Sequence, residues 1–122
     1  MTRAAAIDCG TNSVRLLLVS GGGSGAVELA REVRITRLGQ GVDATGEFHT
    51  DALTRTFAAC DEFAEMIGAA GATRVRFVAT SAARDARNRD AFFAGIAARL
   101  GVTPEIIDGT EEAALSFTGA LT

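Results

Sequence analysis

A carboxylate followed by a glycine-containing turn opens the part of the sequence that could carry chemistry. The stretch is Asp8, Cys9 and then the turn residues Gly10, Thr11, Asn12 and Ser13. Consecutive backbone N–H groups in such a turn can bind a phosphate, and the hydroxyl groups of Thr11 and Ser13 add donors. The carboxylate of Asp8 could hold Mg²⁺ through water. The alternative is a polar hairpin turn whose backbone is bonded by Asp8, which is the commoner arrangement.

A second polar stretch contains hydroxyl groups and two arginines at helical spacing. Thr80 and Ser81 come first, and Arg84 and Arg87 follow three residues apart. Two guanidinium groups on one helix face could bind one anionic ligand, and the hydroxyl groups could meet the same ligand. On local grounds alone, a solvated turn with balanced charges is the more common structure.

A third stretch places two carboxylates where the pattern predicts the first turn of a helix. Glu111 and Glu112 follow Gly109 and Thr110. The helix macrodipole favours acidic residues at this position, so capping accounts for both. A predicted strand precedes them, however, and active sites of α/β proteins gather where strands end. A glutamate there could orient or deprotonate a water molecule.

Three strands, followed by alternating helices and strands, would position these stretches. Residues 4–8, 14–19 and 27–38 have the apolar spacing of strands joined by tight turns, which favours an antiparallel meander. The glycines of residues 39–46 predict a mobile loop. Further along we expect a helix that is capped by Thr50 and ends at Gly68 and Gly71. A strand at 74–79 and a helix from Asn88 to Gly101 follow it. The last predicted elements are a strand at 102–107 and a helix that begins at Thr110. This order predicts a mixed sheet covered by helices.

Composition excludes several kinds of chemistry. All 12 basic residues are arginines, so this chain holds no Walker-type lysine and no Schiff-base lysine. One histidine, His49, and two cysteines, Cys9 and Cys60, exclude a zinc finger and an H-E-x-x-H site. The net charge of −3 offers no general attraction for nucleic acid or for an anionic membrane, and we expect neither as a partner. Separated cysteines in apolar runs, without a visible signal peptide or membrane span, predict a cytoplasmic protein.

Four motifs in order cover nearly the whole chain. They are DCGTNSVRL from Asp8, RLGxGxDxTG from Arg37, ATSAxRDAxN from Ala79 and GxEEAxLSF from Gly109. Together they resemble the exopolyphosphatase and guanosine pentaphosphate phosphatase family, Ppx/GppA. Each motif alone would be weak, whereas the ordered set is specific.

The resemblance implies an α/β fold of the actin-like (ribonuclease H-like) kind, with a mixed five-stranded sheet, three antiparallel strands first, and helices packed on it. The family has two such lobes around a Mg²⁺-dependent site, and it removes the terminal phosphate of inorganic polyphosphate or guanosine pentaphosphate. Residues 1–122 match the N-terminal lobe, so we expect the C-terminal lobe as a partner, and a homodimer is the other partner considered. A non-catalytic phosphate- or nucleotide-binding regulatory lobe is the alternative.

By the same resemblance, individual residues receive roles. The phosphate-binding residues would be Gly10, Thr11, Asn12 and Ser13 of the first phosphate loop, together with Ser81. Asp8 would be the metal-associated carboxylate. Arg84 would contact phosphate and Glu112 would activate the attacking water as the catalytic pair.

The sequence departs from the family pattern in two places. Ala114 occupies a position where the family usually has arginine. The family's second phosphate loop, DxGGGS, is missing, because the similar letters of residues 21–24 lack the preceding aspartate and belong to a predicted hairpin. We therefore expect the second loop in the other lobe.

Overall fold

The computed structural model describes residues 2–21, 27–79, 83 and 86–106 of the chain. Within these ranges the strands are β1 (Arg3–Cys9), β2 (Ser13–Ser20), β3 (Val27–Ile35), β4 (Arg74–Ala79) and β5 (Glu105–Ile106), and the helices are α1 (Val42–Thr45), α2 (Thr50–Ala70) and α3 (Arg89–Leu100). None of the helices in these ranges has the length and apolar character needed to cross a membrane. The helix that we expect to open at Thr110 lies outside the described residues.

The strands form one mixed sheet in the order β3-β2-β1-β4-β5. The first three strands are antiparallel, whereas β4 runs parallel to both β1 and β5. This confirms the predicted meander and the mixed sheet. Because Cys9 lies beside Ala79 in the parallel pair, the carboxyl ends of β1 and β4 meet at one edge of the sheet. The first polar stretch of the sequence, which begins at Asp8, lies at that edge.

The two faces of the sheet are apolar to different extents. On one face, Ile7, Leu16 and Phe77 pack in a single buried cluster with Phe63 of α2 and Phe92 of α3. On the other face a smaller buried cluster consists of Ala4, Ala6, Leu17 and Val19. Since successive side chains of a strand alternate between faces, Asp8 lies on the face of this smaller cluster.

The ends of α2 differ from the prediction. His49, not Thr50, is the N-cap, and its Nδ1 accepts a hydrogen bond from the Asp51 N–H at 3.1 Å. Gly68 lies inside the helix, which ends at Gly71 with a left-handed φ of 69°. The His49 imidazole supplies the acceptor at the N-terminus, and the Gly71 N–H donates to the carbonyls of Ile67 and Gly68 at the C-terminus, so these residues satisfy the helix ends.

The connection between β3 and α2 also differs from the prediction. β3 ends at Ile35 and not at Leu38, because the next two N–H groups donate to Asn12 rather than along the strand. The segment predicted as a mobile glycine loop contains the single helical turn α1. Gly41 and Gly46 flank this turn, both in the left-handed region that glycine adopts without strain.

Candidate functional site

The segment after β3 holds the turn between β1 and β2 in place. The carbonyl of Asn12 accepts hydrogen bonds from the N–H groups of Thr36 at 3.1 Å and Arg37 at 3.0 Å, and the carbonyl of Thr11 accepts one from Gly39 at 3.0 Å. A Cβ on Gly39 would lie 3.2 Å from the Cβ of Thr11. The two segments approach so closely that glycine is favoured at position 39.

These contacts leave N–H groups of the turn available. The carbonyls of Thr11 and Asn12 are both bonded, but no hydrogen bond among the described residues uses the N–H of either residue. Both residues are exposed. The N–H of Gly10, by contrast, donates to the carbonyl of Ser13 at 2.8 Å. Two neighbouring N–H groups and the Thr11 hydroxyl therefore form a set of donors suited to a phosphate oxygen.

Asp8 lies beside this turn, near the carboxyl end of β1, with Arg15 opposite it on β2. The residue is half-buried, and its Oδ1 is buried without a hydrogen-bond partner in the part of the chain described. No ion pair joins Asp8 to Arg15 in that part, although the two residues are neighbours across the strands. A buried oxygen without a partner is unfavourable until water or a cation completes it. Asp8 is therefore suited to holding a cation.

A pocket of about 110 Å³ opens next to Asp8 on the sheet face away from α2 and α3. Its lining includes Asp8, Arg15 and Leu17, with Arg31 and Val33 from β3. The pocket has room for a few water molecules. Mg²⁺ keeps several of its waters and usually binds through one or two carboxylates plus substrate oxygens, so Asp8 supplies one such ligand. The guanidinium groups of Arg15 and Arg31 line the same pocket, so a cation there needs the negative charge of Asp8 and of a bound phosphate to offset them. No group of three or more His, Cys, Asp or Glu side chains that could cage a metal occurs among the described residues.

Residues 87 and 88, which precede α3, are hydrogen-bonded to the loop that precedes α2. The N–H of Arg87 donates to the carbonyl of Gly46 at 2.8 Å. The side chain of Asn88 pairs with the backbone of Phe48, accepting from its N–H at 2.8 Å and donating to its carbonyl at 3.1 Å. Asn88 precedes α3 as predicted, but it makes no side-chain cap because its amide is used in this way.

Arg87 is bonded within the same contact. Its guanidinium group donates to the carbonyl of Thr45 at 2.6 Å and lies 3.5 Å from the Glu47 carboxylate. The side chain thus connects two segments of this chain, and it is not left open for the anionic ligand that its spacing from Arg84 suggested.

The structure brings together only part of the predicted site. Asp8 and the turn of residues 10–13 are adjacent, whereas Ser81, Arg84 and Glu112 lie outside the described residues, so their roles stay predictions. The sequence predicted the end of a strand at residues 36–38 and a helix cap at Asn88, and it did not predict that these residues hold the turn and the neighbouring loop. The motifs that begin at Arg37 and Ala79 contain these residues and were the available signal.

Neither cysteine belongs to this site. Cys9 and Cys60 are both buried and unoxidised. Burial raises the pKa of the Cys60 thiol from its ordinary value of 9.0 to about 12. The thiol is therefore protonated at neutral pH, and a protonated thiol is a poor nucleophile and metal ligand.

The sheet order, the strand directions and the helices on it define an α/β protein of the actin-like (ribonuclease H-like) class. The Ppx/GppA phosphatase family matches residues 18–122, and the chain belongs to this family.

Three relatives illustrate the similarity. Exopolyphosphatase 2 of Mycobacterium tuberculosis is 55% identical over 130 residues, which cover 99% of this chain and 41% of that protein. Guanosine-5'-triphosphate,3'-diphosphate pyrophosphatase of Photobacterium profundum is 34% identical over 115 residues, or 94% of this chain and 23% of that protein. The crystal structure of the Aquifex aeolicus Ppx/GppA family member has a TM-score of 0.82 at 31% identity and covers 88% of this chain and 35% of that one. The chain thus spans less than half the length of these relatives.

Proposed function

We propose that this chain is the N-terminal lobe of a two-lobe phosphoanhydride hydrolase. Its substrate would be inorganic polyphosphate or guanosine pentaphosphate, from which it removes the terminal phosphate. The observation that carries the proposal is the pair of available N–H groups at Thr11 and Asn12 beside the unpartnered Oδ1 of Asp8. Membership of the Ppx/GppA family and the names of two relatives, an exopolyphosphatase and a guanosine phosphate pyrophosphatase, support the substrate class.

The turn of residues 10–13 and Asp8 would together bind the terminal phosphate. The N–H groups of Thr11 and Asn12 donate to its oxygens, where they stabilise the negative charge that develops during transfer. Asp8 is the residue that would hold Mg²⁺, and the ion would supply further neutralisation of phosphate charge. The segment at residues 36–39 keeps the donors in position before substrate arrives, so little reorganisation is needed during the reaction.

The remaining roles in this mechanism fall on residues predicted from the family resemblance. Glu112 accepts a proton from the water that attacks the terminal phosphorus, and the anhydride P–O bond breaks on the opposite side. Arg84 contacts the transferred phosphate and spreads its charge, and Ser81 adds a hydroxyl donor. A second lobe supplies the other side of the cleft, including a second phosphate loop.

We place the enzyme in the reducing cytoplasm, with the C-terminal lobe of the same protein as its partner. The separation of the two cysteines in apolar runs of the sequence supports this setting, because disulfides are rare in reducing compartments. A homodimer is a further part of the proposal, and size-exclusion chromatography with light scattering on the full-length protein tests it.

Phosphate release tests the proposed function. The full-length protein and the 122-residue chain are each incubated with Mg²⁺ and either polyphosphate or guanosine pentaphosphate, and inorganic phosphate is measured with malachite green. We expect release by the full-length protein and almost none by the chain alone, because positioning from both sides of the cleft is needed. Equal activity in both would contradict the two-lobe proposal, and no release by either would favour the non-catalytic regulatory lobe.

A further inference from the structure

Most arginines in the described ranges have a polar partner. Carboxylates pair with Arg31, Arg34, Arg76, Arg87 and Arg99, and backbone carbonyls accept hydrogen bonds from Arg3 and Arg55. Arg74 and Arg89 also have interactions. Two arginines remain, Arg15 and Arg37, for which no hydrogen bond or ion pair of the side chain exists among the described residues.

Both of these arginines adjoin the turn of residues 10–13. Arg15 follows Ser13 on β2 and lies opposite Asp8. Arg37 is exposed, and its backbone N–H donates to the carbonyl of Asn12 at 3.0 Å. Asp8 faces Arg15 across the strands and offsets part of its charge. Arg37 is therefore the cation beside the turn that no carboxylate among the described residues neutralises.

Arg37 also has an unusual backbone conformation. Its φ is 51°, and it is the one non-glycine residue with positive φ in the part of the chain that the structure describes. A β-carbon makes this left-handed region unfavourable, and glycine would adopt it without strain. Strained backbone of this kind persists where the surroundings impose it, and it clusters at ligand-binding sites. An exposed cation at such a position therefore points to a ligand.

The surroundings fix the backbone at Arg37 from both sides. Its own carbonyl accepts a hydrogen bond from the N–H of Gln40 at 3.0 Å. The preceding carbonyl, of Thr36, accepts one from the Nε of Arg55 at 2.9 Å, and the same guanidinium group bonds the side chain of Gln40 at 2.6 Å. The backbone from which the Arg37 side chain extends is thus fixed next to Asn12 of the turn, so no backbone ordering is needed there when a ligand binds.

We propose that Arg37 is a further substrate-binding residue, which holds a phosphate group of a polyphosphorylated substrate alongside the turn of residues 10–13. A guanidinium group suits this ligand because its planar donors match two phosphate oxygens at once. The inference rests on the proposed function, since it adds a contact to the same phosphate site. It makes Arg37 a determinant of substrate affinity and leaves the bond-breaking step to other groups.

Inorganic triphosphate is the probe for this proposal, used with the full-length protein. We compare Arg37→Asn and Arg37→Gly, which lack the charge, with Arg37→Lys, which keeps it. Asparagine tolerates the left-handed conformation and glycine removes its strain, so neither variant disturbs the backbone. The matched control is Arg3→Gln, an exposed arginine at the opposite end of β1 whose partner is the carbonyl of Ala70. Calorimetry gives the triphosphate Kd, and phosphate release gives kcat and KM.

We expect the Kd and KM for triphosphate to rise roughly tenfold in both neutral variants, with kcat nearly unchanged and a smaller rise in Arg37→Lys. The difference from the parent should shrink as salt screens the charge. Parent-like Kd values in both neutral variants would overturn the inference while leaving the proposed function intact. If the parent binds triphosphate without cleaving it, the proposed function fails, and the Kd comparison still decides the role of Arg37.

Discussion

Asp8 is a residue for which a binding role and a structural role predict opposite results. Its Oδ1 is buried without a partner in the described ranges, so the carboxylate contributes little to folding there. We expect Asp8→Asn, which removes the charge and keeps the shape, to leave the melting temperature unchanged or slightly higher. Mg²⁺-dependent turnover of the full-length protein should fall about 100-fold or more, as when an electrostatic contact to the transition state is lost.

Thermal unfolding and phosphate release measured across a Mg²⁺ titration check this expectation. Glu47→Gln serves as the control, since Glu47 is an exposed carboxylate whose nearest cation is Arg87 at 3.5 Å. A marked drop in melting temperature with normal turnover would show that Asp8 is structural.

Glu112 and its neighbour Glu111 are a second case in which two proposed residue roles predict different effects of substitution. In a helix the two side chains point about 100° apart, so they cannot face the cleft equally. We expect Glu112→Gln to lower kcat by about 10²–10⁴-fold with folding intact, because the proposed general base is lost. Glu111→Gln should cost only about 0.3–1 kcal/mol of stability, because the sequence predicts this carboxylate in the first turn of a helix. Steady-state kinetics and urea unfolding of the full-length variants measure both effects, and a reversed pattern would show that the two roles are exchanged.

Among the elements, α2 and α3 approach each other through a glycine. A Cβ on Gly95 of α3 would lie 2.3 Å from Cζ of Phe57 on α2. The guanidinium group of Arg99 lies over this ring at 4.4 Å and pairs with Asp61 at 3.1 Å, so moving the ring disrupts these contacts as well. Close packing of the two helices therefore requires glycine at position 95.

We expect Gly95→Ala to destabilise the fold by about 1–3 kcal/mol through overpacking, which exceeds the gain in helix propensity. Gly68→Ala on α2 is the matched control, because nothing lies within 4 Å of its added Cβ. That variant should gain about 0.5–1 kcal/mol, since alanine favours the helix over glycine. Urea unfolding measures both changes, and equal effects of the two substitutions would contradict the packing argument.

The connections between elements explain how the turn of residues 10–13 is held. α2 contributes Arg55, which bonds the segment at residues 36–40, and this segment bonds the turn. Asn88, next to α3, holds the loop before α2 through Phe48. These two described segments are therefore supported from α2 and from the start of α3, and such support keeps binding groups in position.

At the scale of the whole molecule, the core determines how stability responds to alkaline pH. Cys60 lies in the main buried cluster, and burial raises the pKa of its thiol to about 12. The unfolded chain releases this proton at lower pH than the folded protein does. Stability should therefore fall as pH rises above about 9, by up to about 1.4 kcal/mol per pH unit for this one group.

Urea unfolding of the chain between pH 8 and 10 measures this dependence. Cys60→Ala should show a flatter dependence on pH, although its stability at pH 8 is lower because the core loses contacts. The same decline in both proteins would assign the effect to other groups.

Local patterns in the sequence determined much of the fold and the nature of the site. Short apolar runs predicted β1 and β2, and alternating apolar residues predicted β4. The helical spacing from Leu53 to Ile67 predicted α2. The glycine-containing turn after Asp8 indicated phosphate chemistry. These features could be read because periodicity and turn formation depend on residues close together in the chain.

Only the tertiary structure decided which groups of the site are available. Residues more than 20 positions away donate to the carbonyls of Thr11 and Asn12, and no described residue accepts from the N–H group of either. Arg37 adopts its positive φ in a segment that is hydrogen-bonded to distant residues. The hydrogen bond from the Phe48 N–H to the Asn88 side chain likewise joins distant segments. The amino-acid sequence by itself determined the elements and the residue types at the sheet edge. The pairing of distant backbone groups, which depends on how the elements pack, decided which of those residues can meet a ligand.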